Sequence, residues 1–245
     1  LDVERIELTN EKNYINAALN FPYDSLNAQL TIPKLDIVYE DYHLQNEGEL
    51  SIAKDSVEIN IEHFRMQGPE NSIIEIGGFW NLERQDLQAY VVLDKIKIKP
   101  FEQFWKSEFD LAGEVVGAIE ILNPLHELEI NAELEADSLV YNGNLVGNFD
   151  SDFYFSKNIL EIQRLQYQKG SAAIEGQGNL LFKLADSSST MHLLEDTKTQ
   201  LDLIWQNIHI EEFARLLDMK KKFKGITSGQ ISIGGTTGEP LMVQH

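Results

Sequence analysis

Two groups of side chains in this sequence could do chemistry, a run of carboxylates and six histidines. Glu127, Glu129, Glu133 and Glu135 recur within one short stretch. Two carboxylates facing each other across a cleft could serve as the acid and base of glycoside hydrolysis. Here the acids alternate strictly with Leu128, Ile130, Ala132, Leu134 and Ala136, the pattern of a strand with one dry and one solvated face. Asp150-Ser151-Asp152 resembles part of a calcium loop but lacks the glycine and acidic ligands that should follow. His43, His63, His126, His192, His209 and His245 show no metal-ligand spacing. Cysteine is absent, which excludes disulfides and thiolate catalysis. No Gly-x-Ser-x-Gly, P-loop or dinucleotide fingerprint occurs. The sequence points away from an enzyme, and neither a metal nor a cofactor is expected.

The elements that carry these residues repeat. Ile96-Lys-Ile98 leads to Phe101, Phe104, Trp105 and Phe109, then Gly113, Gly117, Ile119 and Ile121. Ile208-His-Ile210 leads to Phe213, Leu216 and Leu217, then Gly225, Gly229, Ile231 and Ile233, with Ile208 standing 112 positions (208 − 96) after Ile96. A register this long marks a repeated unit. The aromatic and aliphatic spacing predicts two short amphipathic helices, at about 100–109 and 211–222, closing runs of strands as apolar plugs. Pro100 suits a first helical position. Glu211 and Glu212 near the start, and Lys220, Lys221 and Lys222 near the end, complement a helix dipole. Leu26-Asn-Ala-Gln-Leu30 resembles Ile130-Asn-Ala-Glu-Leu134, and Ile74–Leu82 resembles Ile174–Leu180. The units expected are 1–98, 99–210 opened by a short helix, and 211–245, along one continuous elongated domain.

Nearly every other segment alternates apolar and polar residues. Val57, Ile59 and Ile61 form one stripe, and the phase slips at His63 before Phe64 and Met66, as a β-bulge would make it. Leu201, Leu203 and Trp205 form another. Asn142-Gly143 is a type I′ hairpin signal, Gly68-Pro69 reads as a turn, and Pro33 reads as breaking or edging its strand. Ser187–Thr199 is the least patterned stretch. The result expected is an all-β, mostly antiparallel, repeat-built sheet with one apolar face. Such a face must be covered by a second sheet, be enclosed as the sheet curls, or bind an apolar ligand.

The formal charge is −20, from 40 acidic and 20 basic side chains. That field repels phosphate backbones, so nucleic acid is not an expected partner. It also disfavours docking on anionic lipid headgroups. No apolar run has the length of a membrane-spanning helix. Leu1 is not an initiator methionine and no leader follows it, so a piece of a longer protein is expected.

Leu111-Ala-Gly113-x-x-x-Gly117-x-Ile119-x-Ile121 with Pro124, and Phe223-Lys-Gly225-x-x-x-Gly229-x-Ile231-x-Ile233 with Pro240, resemble the TamB / AsmA-like family. The second copy departs from the pattern by Phe223 in place of leucine and by four more residues before its proline. The resemblance implies a periplasmic segment of an envelope-spanning protein of a diderm bacterium, anchored in the inner membrane elsewhere in the full-length chain. It implies a sheet curled into a taco-like trough with an apolar concave face. Phospholipid acyl chains would be the cargo, outer-membrane biogenesis the context, and an outer-membrane barrel a possible partner. On that basis Val57, Ile59, Ile61, Leu128, Ile130, Ala132, Leu134, Leu201, Leu203 and Trp205 are the expected lipid-contacting residues. Phe101, Phe104, Trp105, Phe213, Leu216 and Leu217 are the expected plugs. The alternatives are a structural or adhesive repeat module without lipid cargo, and a carbohydrate-active β-sandwich enzyme.

Overall fold

The computed structural model describes residues 2–10, 13–22, 27–39, 42–100, 110–123, 127–184, 191–193, 198–211, 224–236 and 240–244. These residues are all-β. The chain forms two compact units, Leu1–Lys106 with Glu114–Leu128, and Ser107–Gly113 with Glu129–His245. The first is built from β1 (Asp2–Asn10), β2 (Asn13–Asn20), β3 (Ala28–Tyr39), β4 (Tyr42–Asn46), β5 (Leu50–Lys54), β6 (Glu58–Gln67), β7 (Ile73–Asn81), β8 (Asp86–Lys97) and most of β9 (Leu111–Leu122). The second holds β10 (Glu129–Tyr141), β11 (Asn144–Ser156), β12 (Ile159–Lys169), β13 (Ala172–Leu184), β14 (Met191–Leu193), β15 (Lys198–His209), β16 (Ile226–Thr236) and β17 (Pro240–Gln244). Within each unit the strands pair antiparallel with near neighbours in sequence. Ser187–Thr199, unpatterned in sequence, contributes β14 and the start of β15, and its remainder lies outside the described residues.

Turn chemistry sets the register. Asn142 and Gly143 join β10 to β11 with φ of 47° and 73°, the left-handed pair that a type I′ turn needs. Lys157 and Asn158 do the same between β11 and β12, at 51° and 65°, without a glycine to announce it. Pro33 does not end its strand, because β3 runs through it. The proline falls between the stretch paired with β5, up to Ile32, and the stretch paired with β4, from Asp36. Its missing N–H therefore removes no ladder bond. Asn46 seals the gap, accepting from Leu35 N–H at 2.7 Å and donating to Pro33 O at 3.2 Å.

The phase slip at His63 is a register shift between Ile61 and Phe64. Similar shifts lie between Leu93 and Ile96, Ala136 and Leu139, Ile162 and Leu165, and Trp205 and Ile208. Each extra residue inverts the parity of its strand while leaving the apolar side chains on one face. A bulge also bends its strand and adds twist. The 112-residue repeat is visible in the backbone: Lys95 has φ of 54° and Asn207 has 53°, and β8 and β15 share bounds at that offset. Ile96 and Ile208, just past the two bulges, are both buried.

Among the described residues buried side chains are few. In the second unit Tyr167, Ala172 and Ile208 pack with Val146, Phe149, Ile174 and Trp205. The Phe149 and Tyr167 rings lie 5.2 Å apart, and Tyr167 donates its hydroxyl to Val146 O at 2.8 Å. In the first unit Tyr42, Leu50, Met66 and Ser72 are buried, with Tyr42 and Ser72 hydroxyls 2.9 Å apart.

The two expected helices are not borne out. Strand β8 continues to Lys97 and β15 to His209, and only residues 99–100 and 210–211 show the start of a helical turn. The bodies of both, with Phe101, Phe104, Trp105, Phe213, Leu216 and Leu217, lie outside the described residues. A helix of about ten residues is marginal without tertiary packing, so periodicity alone is a weak warrant for one. The second segment is closed at its base, where Ile210 N–H donates to Gly225 O at 3.0 Å and Gly225 N–H donates to Glu211 at 3.1 Å.

At Gly78 and Gly178 the backbone of a neighbouring strand comes close. A Cβ there would lie 2.3 Å from Gln88 O and 2.2 Å from Gln200 O respectively, whereas one on Gly234 would meet nothing nearer than 4.0 Å. Gly178→Ala should lower stability by about 1–3 kcal/mol, and Gly234→Ala should cost markedly less, both read from urea unfolding midpoints.

Candidate functional site: an apolar sheet face in each unit

Side chains of directly paired residues point to the same side of a sheet, so the registers define the faces. In the second unit one transverse row runs Ala132, Phe153, Ile162, Gly178, Leu201, Ile233. The next runs Leu134, Ser151, Leu165, Gly176, Leu203, Ile231, and the third Ala136, Phe149, Tyr167, Ile174, Trp205, Gly229. Ile130, Phe155, Leu160 and Leu180 make a fourth. Thus Ile130, Ala132, Leu134, Leu201, Leu203 and Trp205, read from separate stretches of sequence, share one continuous apolar face. Leu128 stands one residue before β10, in the same parity.

The first unit repeats the arrangement. Its rows include Leu30, Ile52, Ile61, Gly78, Ala89, Ile121; then Phe64, Ile76, Val91, Ile119; and Lys54, Ile59, Trp80, Leu87. Ile59 and Ile61 lie on this face. Val57 precedes β6 and accepts from Leu82 N–H at 2.7 Å.

Most side chains on these faces are half-buried rather than buried. Ile59, Ile61, Ile130, Ala132, Leu134, Leu201, Leu203 and Trp205 are all half-buried. Phe155, Ile162 and Tyr167 are the buried apolar members of the rows in the second unit, at 4%, 8% and 8% exposure. In a sandwich core, bulky side chains from two sheets interlock to high density. Trp205 is fixed in place: its ring lies over Gly229, where a Cβ would be 2.7 Å away, and its Nε1–H donates to Thr227 at 3.3 Å.

The opposite face is polar and acidic. Glu133 pairs with Asp152 and Glu135 with Asp150 across β10 and β11, a like-charge arrangement that costs stability. Arg164, at the β12 bulge, relieves it. Its guanidinium bonds Asp152 at 2.8 and 3.0 Å and reaches Asp150 at 2.9 Å. The Asp152 hydrogen bonds and the nearby carboxylates hold its pKa above the ordinary arginine value. Both aspartates of the suspected calcium motif are therefore engaged by an arginine. Among the described residues no group of three or more candidate ligands could hold a metal. On this side of the first unit an open groove of about 540 Å³ is lined by polar residues including Gln29, Lys54, Asp55, Glu58, Asn60 and Glu62. No helix among the described residues is long and apolar enough to cross a membrane.

The rows also contain residues that the sequence did not single out as a site, among them Trp80, Phe153, Ile162, Leu165 and Ile231. For Ile162 and Leu165 the missed signal is the i, i+3 apolar spacing that marks a bulge, which lets stripes of different parity join one face.

Asp55 gives the groove a titratable element. Its Oδ1 accepts from Val57 and Glu58 N–H, both at 2.7 Å, and these bonds hold its pKa below the usual carboxylate range. The ionised form accepts the bonds, so its stabilisation is complete above about pH 3.9 and is lost as pH falls through the lower folded-state value. The stability difference between the parent and Asp55→Ala should be constant over roughly pH 5–7 and should shrink in stronger acid, measured by urea unfolding at each pH. No family model, curated protein or solved structure matches this chain.

Proposed function

We propose that the apolar faces bind acyl chains, and that the chain is a periplasmic segment of an envelope-spanning bridge supporting phospholipid transport to, or assembly of, the outer membrane. The observation that carries the acyl-binding step is the row structure. Apolar side chains align across successive strands of each unit, and most remain half-buried. The envelope setting, the taco-like curl and a barrel partner rest on the resemblance of the glycine-isoleucine segments to the TamB / AsmA-like family.

An acyl chain laid along such a face gains about 0.8 kcal/mol for each methylene removed from water. Successive rows offer similar contacts, so displacement by one row changes the free energy little. Val57, Ile59, Ile61 and Leu128 in the first unit, and Ile130, Ala132, Leu134, Leu201, Leu203 and Trp205 in the second, supply the contacts. The acidic face stays in water and takes no part in holding the chain. The protein binds and guides, with no catalytic step and no cofactor.

The test is mass spectrometry of an organic extract of the purified chain beside an Ile130→Glu variant. Phospholipid should be present at near-stoichiometric amount on the parent and fall several-fold on the variant, with circular dichroism unchanged. Shortening a bound acyl chain by two methylenes should weaken binding about tenfold. A well-folded parent that carries no lipid and takes none up would overturn the proposal.

A further inference from the structure

Two buried polar groups on the apolar faces have no hydrogen-bond partner among the described residues, the Trp80 Nε1–H and the Thr199 hydroxyl. A buried unsatisfied donor is costly, and native structures keep few of them. Their positions correspond. Trp80 pairs directly with Leu87 on β8, and Leu87 stands 112 positions before Thr199, the offset that relates β8 to β15. Thr199 belongs to the apolar face of the second unit, two residues before Leu201, and pairs with Gly235. The same end of the apolar face thus carries one unpaired hydroxyl or indole N–H in each unit. The contrast with Trp205 is direct, since that indole donates to Thr227 at 3.3 Å. Trp80 and Thr199 are themselves only half-buried, so a side-chain rotation can offer either donor to a molecule lying on the face.

We infer that Trp80 and Thr199 are polar anchors for an amphiphile, each donating a hydrogen bond to an oxygen at the polar end of a molecule whose acyl chain lies along the apolar rows. This rests on the acyl-binding reading above. An indole N–H can only donate, so the ligand must present an acceptor, either the ester carbonyl of a phospholipid or the carboxylate of a fatty acid. A plain hydrocarbon would leave both donors unpaired.

The experiment uses the full chain with Trp80→Phe, which keeps an aromatic ring, and Thr199→Val, which keeps the shape, each deleting the donor. Equilibrium binding is measured with three ten-carbon probes: didecanoyl phosphatidylglycerol below its micelle concentration, decanoic acid, and decane. Each variant should bind the acceptor-bearing probe about fivefold more weakly and bind decane as the parent does. Loss confined to phosphatidylglycerol identifies the lipid ester as the acceptor, and loss confined to decanoic acid identifies the free carboxylate. In the absence of ligand, Thr199→Val should melt no lower than the parent, because the deleted hydroxyl had no partner to lose. Variants that bind all three probes as the parent does would overturn the anchors and leave acyl binding standing, as would an equal loss for all three. A parent that binds none of the probes would overturn both.

Discussion

Strict alternation along a strand is fragile, because one extra residue sends every later side chain to the other face. In this protein alternate strands from β6 onward, and then β15, carry such a residue. The sequence changes parity in step: Ile61 is followed by Phe64, Leu93 by Ile96, Ile162 by Leu165 and Trp205 by Ile208. If any strand kept its original parity, its remaining apolar residues would turn to the acidic side, at about 1.5–3 kcal/mol for each large side chain fully exposed. The continuity of the apolar rows and the packed clusters beyond the bulges both follow from this compensation. Ile96 and Ile208 are buried because the bulge returns them to the apolar side.

Much of this was legible in the residues. Alternation located most of the strands, the slip at His63 located one bulge, and Asn142-Gly143 located a type I′ turn. The other bulges carry the same i, i+3 signature, but a single strand cannot say whether a slipped residue belongs to a bulge or to a turn. Only its neighbour's register decides. Pro33 was misread for a related reason. Proline is barred from a position that must donate, and whether a position must donate depends on which strand lies alongside. Here β5 ends and β4 begins opposite that residue. Lys157-Asn158 escaped notice because lysine is not a usual left-handed residue, so its turn is imposed by the strands on either side.

The apolar residues of the candidate site were legible in outline, since stripes around Ile59, Ile130 and Leu203 are patterns of residue type. Trp80 and Thr199 were not legible as anchors. Whether a hydroxyl or an indole N–H is satisfied is a tertiary property, set by the atoms that reach it. Trp205 and Trp80 look alike in sequence, each following apolar residues at even spacing. One reaches Thr227 diagonally across the strand pair, and the other pairs directly with Ile59 and Leu87, neither of which has a side-chain acceptor. The distinction lies entirely in the partners.

The two faces of each sheet solve opposite problems, and their chemistry keeps them from exchanging roles. Carboxylates at Glu133, Glu135, Asp150 and Asp152 repel one another and any second acidic sheet, and Arg164 bridges Asp150 and Asp152. Stacking on that side is opposed by charge. The apolar side is shaped by unequal heights instead. Gly176 and Gly178 lie low between Leu165, Ile162 and the leucines of β15, and Leu203 leans over Gly176, where a Cβ would be only 2.8 Å away. Relief of this kind also occurs in sandwich cores, where facing side chains interdigitate. A flexible acyl chain can follow it, since each methylene adjusts by rotation about its own bonds. On the acyl-binding proposal, this mixture of bulky and small residues suits a deformable ligand.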